Sequence, residues 1–325
     1  MTLPDTSVPL TAEEARDAFD AILDATADDV ETVRFLSVMS DRDETAIEIA
    51  AAAAAMRARM IPITAPAGAI DVCGTGGDGS HSLNVSTAVA IIVAACGVPV
   101  AKHGNRAASS KAGAADTLEA LGLNLDRASE TAEATLADLG ICFLFAQKHH
   151  PALGRLGPIR KAIGRRTVFN LTGPAANPAG VTRQLIGVAR PDFLPVFAEA
   201  LILLNTEDAM LVAGDEPLDE ISVSEPSTIL RLHQPASRIT PEDVGLPRHA
   251  PEALLGGDAA FNAAALRRML HGERGAYRDA VLFNAAAALI VAGQVTDWRE
   301  GIEEAAETLD RGLANTLLDC WIAYK

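Results

Sequence analysis

The chain has 325 residues, enough for one large domain or two smaller ones. Its formal net charge of −16 argues against a nucleic-acid or membrane surface, and its four well-separated cysteines predict buried thiols in a reducing, cytoplasmic compartment. The longest apolar run is too short to cross a bilayer, and the first residues show no signal-peptide pattern.

Residues 1–68 are predicted to form a small helical domain. A capping box that starts at Thr11 predicts the first helix, and helical patterning continues over 29–39 and 43–60. Prolines and a glycine then end this region. We expect part of 148–166 to pack back onto the helical domain.

Residues 69–325 show the patterns of a large α/β domain. Strands predicted at 69–73 and 98–102 flank a helix, and such a βαβ unit favours a mostly parallel central sheet. Further strands are predicted at 141–145, 185–188, 210–213 and 227–232, and helices at 109–121, 128–139, 195–204, 278–292 and 298–321. The segment 151–163 is expected to be helical in parts, and 167–171 to be extended.

A glycine-rich loop lies between the first predicted strand and its helix. Glycines occupy positions 74, 76, 77 and 79, and the residues 84–87 that follow are typical of a helix start. A strand, a glycine loop and a helix N-terminus together present backbone N–H groups to a phosphate. The spacing fits neither the GxGxxG nor the Walker pattern, so an ordinary glycine-rich turn stays open as the alternative.

Positive charge is concentrated in two segments without acidic residues, 98–115 and 139–191. In an acidic protein this predicts a locally held anionic ligand, with chance clustering on a solvated face as the alternative. The adjacent acids Asp219 and Glu220 follow a predicted strand, and carboxylates are the ligands of a Mg²⁺ ion that also bridges phosphates. A solvated turn is the alternative for this pair, and a helix cap alone is the alternative for Ser86.

The chain resembles the anthranilate phosphoribosyltransferase family. Six motifs carry the resemblance: GTGGDG (74–79), NVST (84–87), KHGNR (102–106), SSKAG (109–113), RTVFN-x-x-GP-x-x-NP (166–178) and LDE (218–220). The resemblance implies a nucleoside phosphorylase/phosphoribosyltransferase-like fold and a homodimer. It also implies Mg²⁺-dependent transfer of phosphoribose from 5-phosphoribosyl 1-pyrophosphate (PRPP) to the amine of anthranilate, with release of pyrophosphate, in tryptophan biosynthesis.

The resemblance further implies roles for individual residues. PRPP would be held by Gly74, Gly77, Asp78, Ser82, Asn84, Val85, Ser86, Thr87, Lys102, His103, Gly104, Asn105, Arg106, Ala107, Ala108, Ser109, Ser110 and Ala114. Anthranilate would contact Gly74, His103, Asn105, His150 and Arg160, and Arg160 would pair with its carboxylate. Mg²⁺ would bind Ser86, Asp219 and Glu220. Lys102, Asn105 and Arg106 would position the substrates and stabilise the leaving group, and no residue is assigned as a chemical catalyst.

The sequence departs from the family pattern at Gln147, Ala114, Ala213 and 215–217, and we expect these departures to affect affinity more than identity. A pyrimidine nucleoside phosphorylase-like enzyme is one alternative, against which KHGNR argues. A non-catalytic nucleic-acid-binding relative is another, which the net charge of −16 opposes. An interaction scaffold would leave the two basic segments unexplained.

Overall fold

A three-helix bundle forms the N-terminal part of the computed structural model, which describes residues 2–107, 110–216 and 218–325. Its helices are α1 (Ala12–Leu23), α2 (Asp29–Asp41) and α3 (Ala46–Arg57). Each begins at a side-chain cap that satisfies the first backbone N–H groups: Thr11 and Thr45 form capping boxes, and Asp28 accepts from two amides. The helical prediction for this region is confirmed.

A seven-stranded sheet follows, with the order β3-β2-β1-β4-β5-β6-β7. Its strands are β1 (Ile70–Gly74), β2 (Val100–Gly104), β3 (Ile141–Phe145), β4 (Arg183–Gly187), β5 (Asp208–Gly214), β6 (Ser227–Arg231) and β7 (Ser237–Ile239). The first five are parallel, and β6 and β7 add antiparallel at one edge. The predicted fold class, a helical domain with a mostly parallel α/β domain, is therefore confirmed.

Twelve further helices cover the sheet among the described residues. They are α4 (Val85–Ala95), α5 (Ala114–Ala120), α6 (Leu125–Glu130), α7 (Ala132–Leu139), α8 (Ala146–His149), α9 (Leu156–Ile163), α10 (Val168–Ala175), α11 (Leu194–Leu203), α12 (Ala259–Leu270), α13 (Ala276–Ala292), α14 (Trp298–Asp310) and α15 (Leu313–Ala323). No helix in the described ranges combines the length and the apolar character needed to cross a membrane.

Two large hydrophobic cores lie on opposite faces of the sheet. One contains α4 and the C-terminal helices α12 to α15, packed on Val72 and Leu185. The other joins the bundle to α9, α10 and α11 and packs on Ile186, the next residue of β4. Alternate residues of one strand thus serve two cores, as a parallel sheet covered on both faces requires.

The segment 148–166 contacts the bundle through arginines. Arg155 donates to the carbonyls of Ile22 and Ala27 and pairs with Asp29, while Arg166 pairs with Glu44 at 2.7 Å. These contacts agree with the expected packing of this segment. The limits 1–68 and 69–325 stay a prediction, since contacts alone do not define an independently folding unit.

The extended conformation expected for 167–171 is wrong, because this segment starts helix α10. Its β-branched and aromatic residues favour a strand locally, but Asn170 accepts from the Thr167 N–H as part of a capping box. Val168, Phe169 and Leu171 are then buried against the bundle. Tertiary burial outweighs local propensity here.

Three helix boundaries also differ from expectation, and two helices, the short α8 and the longer α12, were missed. The helix predicted over 298–321 is interrupted at Gly312, which has a φ of +72°. The helix predicted over 128–139 is two helices that meet at Thr131. The one predicted from 109 begins at Ala114, and Ser109 itself lies outside the described residues. Helix α12, capped by Asp258, was not predicted.

Substitution of Phe19 tests whether the helical bundle shares one hydrophobic core with α10. The fully buried Phe19 ring contacts Phe35 and Phe169 edge to face, at centroid distances of 5.8 and 6.0 Å. We expect Phe19→Ala to lower the free energy of unfolding by about 3–5 kcal/mol because it leaves a cavity. Urea denaturation measures this, with the half-exposed Phe261→Ala as the size-matched control. An equal loss for both variants would contradict the shared core.

Candidate functional site

The glycine loop lies where the strand order of the sheet reverses. The chain proceeds from β1 to β2 and β3 in one direction and from β4 to β5 in the other, so β1 and β4 border a crevice at their carboxyl ends. Ligands of open α/β sheets bind in such a crevice. Gly76, Gly77 and Gly79 have φ between +65° and +79°, a left-handed conformation that glycine adopts without strain.

Helix α4 presents its N-terminus to this loop. Asn84 occupies the N-cap position without capping the helix, since its side chain instead donates to Ala112 and accepts from Thr117 and Asn262. Asn84 therefore leaves the first-turn N–H groups of α4 free for partners from elsewhere in the fold. The Ser86 N–H donates to Glu220 at 3.2 Å, which shows that this helix end already accommodates a carboxylate.

Asp219 lies against the glycine loop and Glu220 against the start of α4, at the sheet edge that their position after β5 predicts. Asp219 Oδ2 accepts from the Gly76 N–H at 2.7 Å, and the Asp219 N–H donates to Asp78 at 3.4 Å. Burial and the neighbouring Asp78 carboxylate raise the pKa of Asp219 to about 7. Burial and Asp219 hold the pKa of Glu220 well above its ordinary value. Acidic charge is thus gathered here at an energetic cost that a bound cation would offset.

Lys102 lies beneath the loop instead of reaching over it. Its ammonium is buried and donates to the Val72 carbonyl at 2.7 Å and to Ser86 Oγ at 3.3 Å. Burial lowers the pKa of Lys102, while Asp71 and Glu220 oppose that shift. Lys102 therefore supplies positive charge to the floor of the crevice.

A buried polar network joins β1 to β2, and sequence reasoning missed it. β1 and β2 are in register at Ile70 and Val100; beyond that pair, Asp71 accepts from the His103 N–H at 3.1 Å. Its second oxygen accepts from Asn177, which also donates to Ala101. The available signals were an acid inside an otherwise apolar strand and the asparagine of the NP motif.

Arg106 is ion-paired on the loop after β2. It contacts Asp116 at 2.8 Å and Glu119 at 2.9 Å, with its guanidinium 5.7 Å from the Phe145 ring centroid. Asp116 also accepts from the Ala107 and Gly113 amides and so fixes both ends of this loop. The predicted site residues Ala108 and Ser109 lie outside the described residues, as does the departure at Pro217.

Two histidines form the side of the crevice next to β2. The rings of His103 and His150 are 5.1 Å apart, and the Nδ1 of His103 donates to the Gly173 carbonyl at 3.0 Å. Nε2 of each ring is buried without a hydrogen-bond partner within the described ranges. Burial lowers the pKa of His103 to about 3 and that of His150 to about 4, so both imidazoles are neutral near pH 7.

Six of the eight basic residues between 139 and 191 form ion pairs within the protein, and the anionic ligand expected from this charge stays a prediction. The paired cations are Lys148, Arg155, Arg165, Arg166, Arg183 and Arg190. The bundle acids that pair with Arg155, Arg166 and Arg190 lie more than 100 positions away, so local charge counting did not reveal these pairs. Arg160 differs: its side chain has no hydrogen-bond or ion-pair partner in the described ranges, and burial lowers its pKa.

The structure brings together many, but not all, of the predicted site residues. Gly74, Asp78, Ser86, Lys102 and Asp219 surround the loop through the contacts above. Ser82 bridges to Leu255, Thr87 is buried in the first turn of α4, and Arg160 lies on α9 without a hydrogen bond to the loop. The described residues contain no group of three or more His, Cys, Asp or Glu arranged to hold a metal alone.

Comparisons with known proteins agree with this geometry. The helical bundle domain of a glycosyl transferase family matches residues 6–60, and the a/b domain of the same family matches residues 67–315. An anthranilate phosphoribosyltransferase from Novosphingobium aromaticivorans is 65% identical over 324 residues, with 99% of this chain and 98% of that protein covered. One from Sphingopyxis alaskensis is 63% identical, with 99% and 98% covered.

Solved structures show the same fold. The anthranilate phosphoribosyltransferase of Thermus thermophilus has a TM-score of 0.91 at 41% identity, with 98% of this chain and 96% of that chain covered. The Saccharomyces cerevisiae enzyme in complex with PRPP and Mg has a TM-score of 0.90 at 28% identity, with 97% and 93% covered. The resemblance seen in the sequence motifs is thus confirmed, and the chain belongs to the anthranilate phosphoribosyltransferase family.

Proposed function

We propose that this phosphoribosyltransferase holds PRPP in the crevice between β1 and β4 and brings anthranilate in from the side of His103 and Arg160. One observation carries the proposal: the LDE turn and the phosphate-type loop are joined by hydrogen bonds from Gly76 to Asp219 and from Ser86 to Glu220. The glycine loop and the start of α4, which are consecutive in the chain, thereby meet the distant LDE turn at one site for an anion and a cation.

The acidic residues fit Mg²⁺. Carboxylate oxygens suit this ion, which usually keeps several waters and takes further ligands from substrate phosphates. A site without a complete set of protein ligands is consistent with that preference. Asp219, Glu220 and the Ser86 hydroxyl would hold the metal, and bound Mg²⁺ would supply charge neutralisation for the departing pyrophosphate.

The chain's own residues meet the other demands of the reaction. The amine nitrogen attacks C1 of the ribose while the bond from C1 to pyrophosphate oxygen breaks, and the amine then loses a proton. Backbone amides of the loop and the buried Lys102 charge stabilise the leaving group, and Arg106 lies on the loop that follows β2. An aromatic amine is neutral near pH 7, so orientation matters more than a strong base.

Neutral histidines and an unpaired arginine suit anthranilate. The partnerless Nε2 atoms of His103 and His150 offer acceptors to the amine N–H groups. The Arg160 guanidinium is partly buried and has no acidic partner among the described residues, so a substrate carboxylate would meet no protein competitor there. These features support the roles proposed for the three side chains.

We also propose a cytoplasmic homodimer. The four free thiols suit a reducing compartment, and the exposure of Cys320 corrects the expectation that all four cysteines are buried. The family resemblance supports the dimer, and Val30 and Ile47 leave apolar side chains exposed on the bundle.

Asp219→Ala tests the metal assignment. We expect the Mg²⁺ concentration for half-maximal activity to rise by about tenfold or more, equivalent to about 1.4 kcal/mol of lost binding. PRPP binding should weaken only when Mg²⁺ is present. The assay follows the loss of anthranilate fluorescence with PRPP and varied Mg²⁺. Asp215→Asn is the matched control, since Asp215 lies on the same turn and pairs with Arg238. A wild-type Mg²⁺ profile for Asp219→Ala would reduce the pair to a solvated turn.

Arg160→Ala tests the anthranilate site. Loss of a charge-assisted pair worth about 1.5–3 kcal/mol should raise the KM for anthranilate roughly 10- to 150-fold and leave the PRPP affinity nearly unchanged. Steady-state kinetics and calorimetry of PRPP binding measure the two effects. Arg165→Ala, in the same segment but paired with Asp41, is the control. Equal losses for both substrates would assign Arg160 a structural role.

The variant His103→Gln tests whether the folded protein keeps the His103 imidazole neutral, through the pH dependence of the free energy of unfolding. The unfolded chain protonates His103 near pH 6.5, whereas the folded chain does so only near pH 3. Stability from this group is therefore complete above pH 6.5 and falls as the pH drops toward 3, by up to about 1.4 kcal/mol per pH unit. We expect the variant to show a shallower loss between pH 6 and 4 in urea denaturation. Parallel curves for the two proteins would contradict the assignment.

A further inference from the structure

Gly74 and Gly187 lie side by side at the carboxyl ends of the neighbouring strands β1 and β4. They are register partners, and the Gly187 carbonyl also accepts from the Thr75 N–H at 2.9 Å. Neither glycine has a left-handed φ, so the backbone conformation does not require glycine at either position. Another constraint must explain why both strand ends lack a side chain.

Asp219 fills the space that both side chains would need. A Cβ built on Gly187 would lie 1.5 Å from the Asp219 carbonyl oxygen and 2.5 Å from its carbonyl carbon. A Cβ built on Gly74 would lie 2.2 Å from Asp219 Oδ2 and 2.9 Å from Cγ. Gly187 thus makes room for the main chain of Asp219, and Gly74 makes room for its carboxylate.

The neighbouring strand ends do not share this feature. At Gly214, at the end of β5, the nearest atom to an added Cβ is Glu216 Oε2 at 3.1 Å, the far end of a flexible side chain. At Gly104, at the end of β2, it is the Phe143 ring at 2.8 Å. Only at Gly187 among these four strand ends is the obstacle backbone, which cannot rotate away.

We infer that Gly74 and Gly187 form a seat for Asp219 and that Gly187 is a positioning residue for phosphoribosyl transfer. This inference rests on the proposed role of Asp219 toward Mg²⁺ and PRPP. A methyl group on Gly187 would require the Asp219 oxygen to retreat by about 1.5 Å to reach the 3.0 Å limit of real Cβ contacts. The carboxylate, held by Gly76 and directed at the crevice, would move with its main chain.

Gly187→Ala tests the positioning role. We expect the half-saturating Mg²⁺ concentration and the KM for PRPP to rise by about tenfold or more, since a shift on the order of 1 Å can reduce rates 10²-fold. The KM for anthranilate should stay within about twofold. Leu185→Ala is the control: this buried residue lies two positions earlier on the same strand, so its loss lowers the thermal midpoint without moving Asp219. Equal Mg²⁺ profiles for Gly187→Ala and wild type would overturn the inference.

A ligand-free stability cycle tests the seat without metal or substrate. Asp219→Ala removes both atoms that a Cβ on Gly74 would meet within 3.0 Å, but it keeps the main-chain atoms that face Gly187. We therefore expect Gly74→Ala to lower the thermal midpoint in the wild-type background and to lower it much less in Asp219→Ala. Gly187→Ala should lower it equally in both backgrounds. If Gly74→Ala lowers the thermal midpoint equally in the wild-type and Asp219→Ala backgrounds, the inference that Gly74 makes room for the Asp219 carboxylate is overturned.

The two experiments separate this inference from the proposed function. A wild-type Mg²⁺ profile for Asp219→Ala would contradict the metal assignment, while the ligand-free cycle would still support or overturn the seat. If Gly187→Ala does not fold, Gly74→Ala serves in its place, because displacement of the carboxylate alone should also raise the half-saturating Mg²⁺ concentration. An unchanged profile for a folded Gly74→Ala would overturn the inference.

Discussion

Opposite charges buried between β1 and β2 organise the site. Beyond the register pair Ile70 and Val100, Asp71 and Lys102 bring their charged groups between these strands. Asp71 orients His103 through its amide, and Lys102 reaches the start of α4. Burial raises the pKa of Asp71 and lowers that of Lys102, so each charge depends on the other. Asp71 and Lys102 thus connect His103 on one side of the crevice with the start of α4 on the other.

Ion pairs between residues distant in sequence join the helical bundle to the rest of the protein. Acidic residues of the bundle neutralise arginines that are more than 100 positions away, as Asp29 does for Arg155 and Glu44 for Arg166. The guanidinium groups of Arg166 and Arg190 also each lie 4.4 Å from the Phe193 ring centroid. A basic stretch in an acidic protein can therefore mark an internal interface, and a partly buried cation without a partner in the described ranges, such as Arg160, is the better pointer to a ligand.

Features that depend on residues close together in sequence could be predicted from the sequence. The capping box of Thr11, the strand Ile141–Phe145 and the glycine loop follow from neighbouring residues, and the structure contains all three. Helix α10 was mistaken for extended chain because burial against the bundle decides it. Gly187 gave no signal, since the reason for its missing side chain is Asp219, which reaches it only through the fold. Pairing across the crevice cannot be deduced from single-sequence periodicity.

The ion pairs of Arg106 bear on which anions the crevice accepts. A bare guanidinium beside a phosphate site would attract any small anion in the cell, including free inorganic phosphate. Asp116 and Glu119 already occupy this guanidinium, and the same Asp116 fixes the loop through two backbone amides. If Arg106 takes its proposed part in PRPP binding, an incoming anion has to replace those carboxylates, and a ligand with several phosphate oxygens does so more readily than a single phosphate. On that proposal, Asp116 and Glu119 discriminate between anions by the number of contacts that each anion can form.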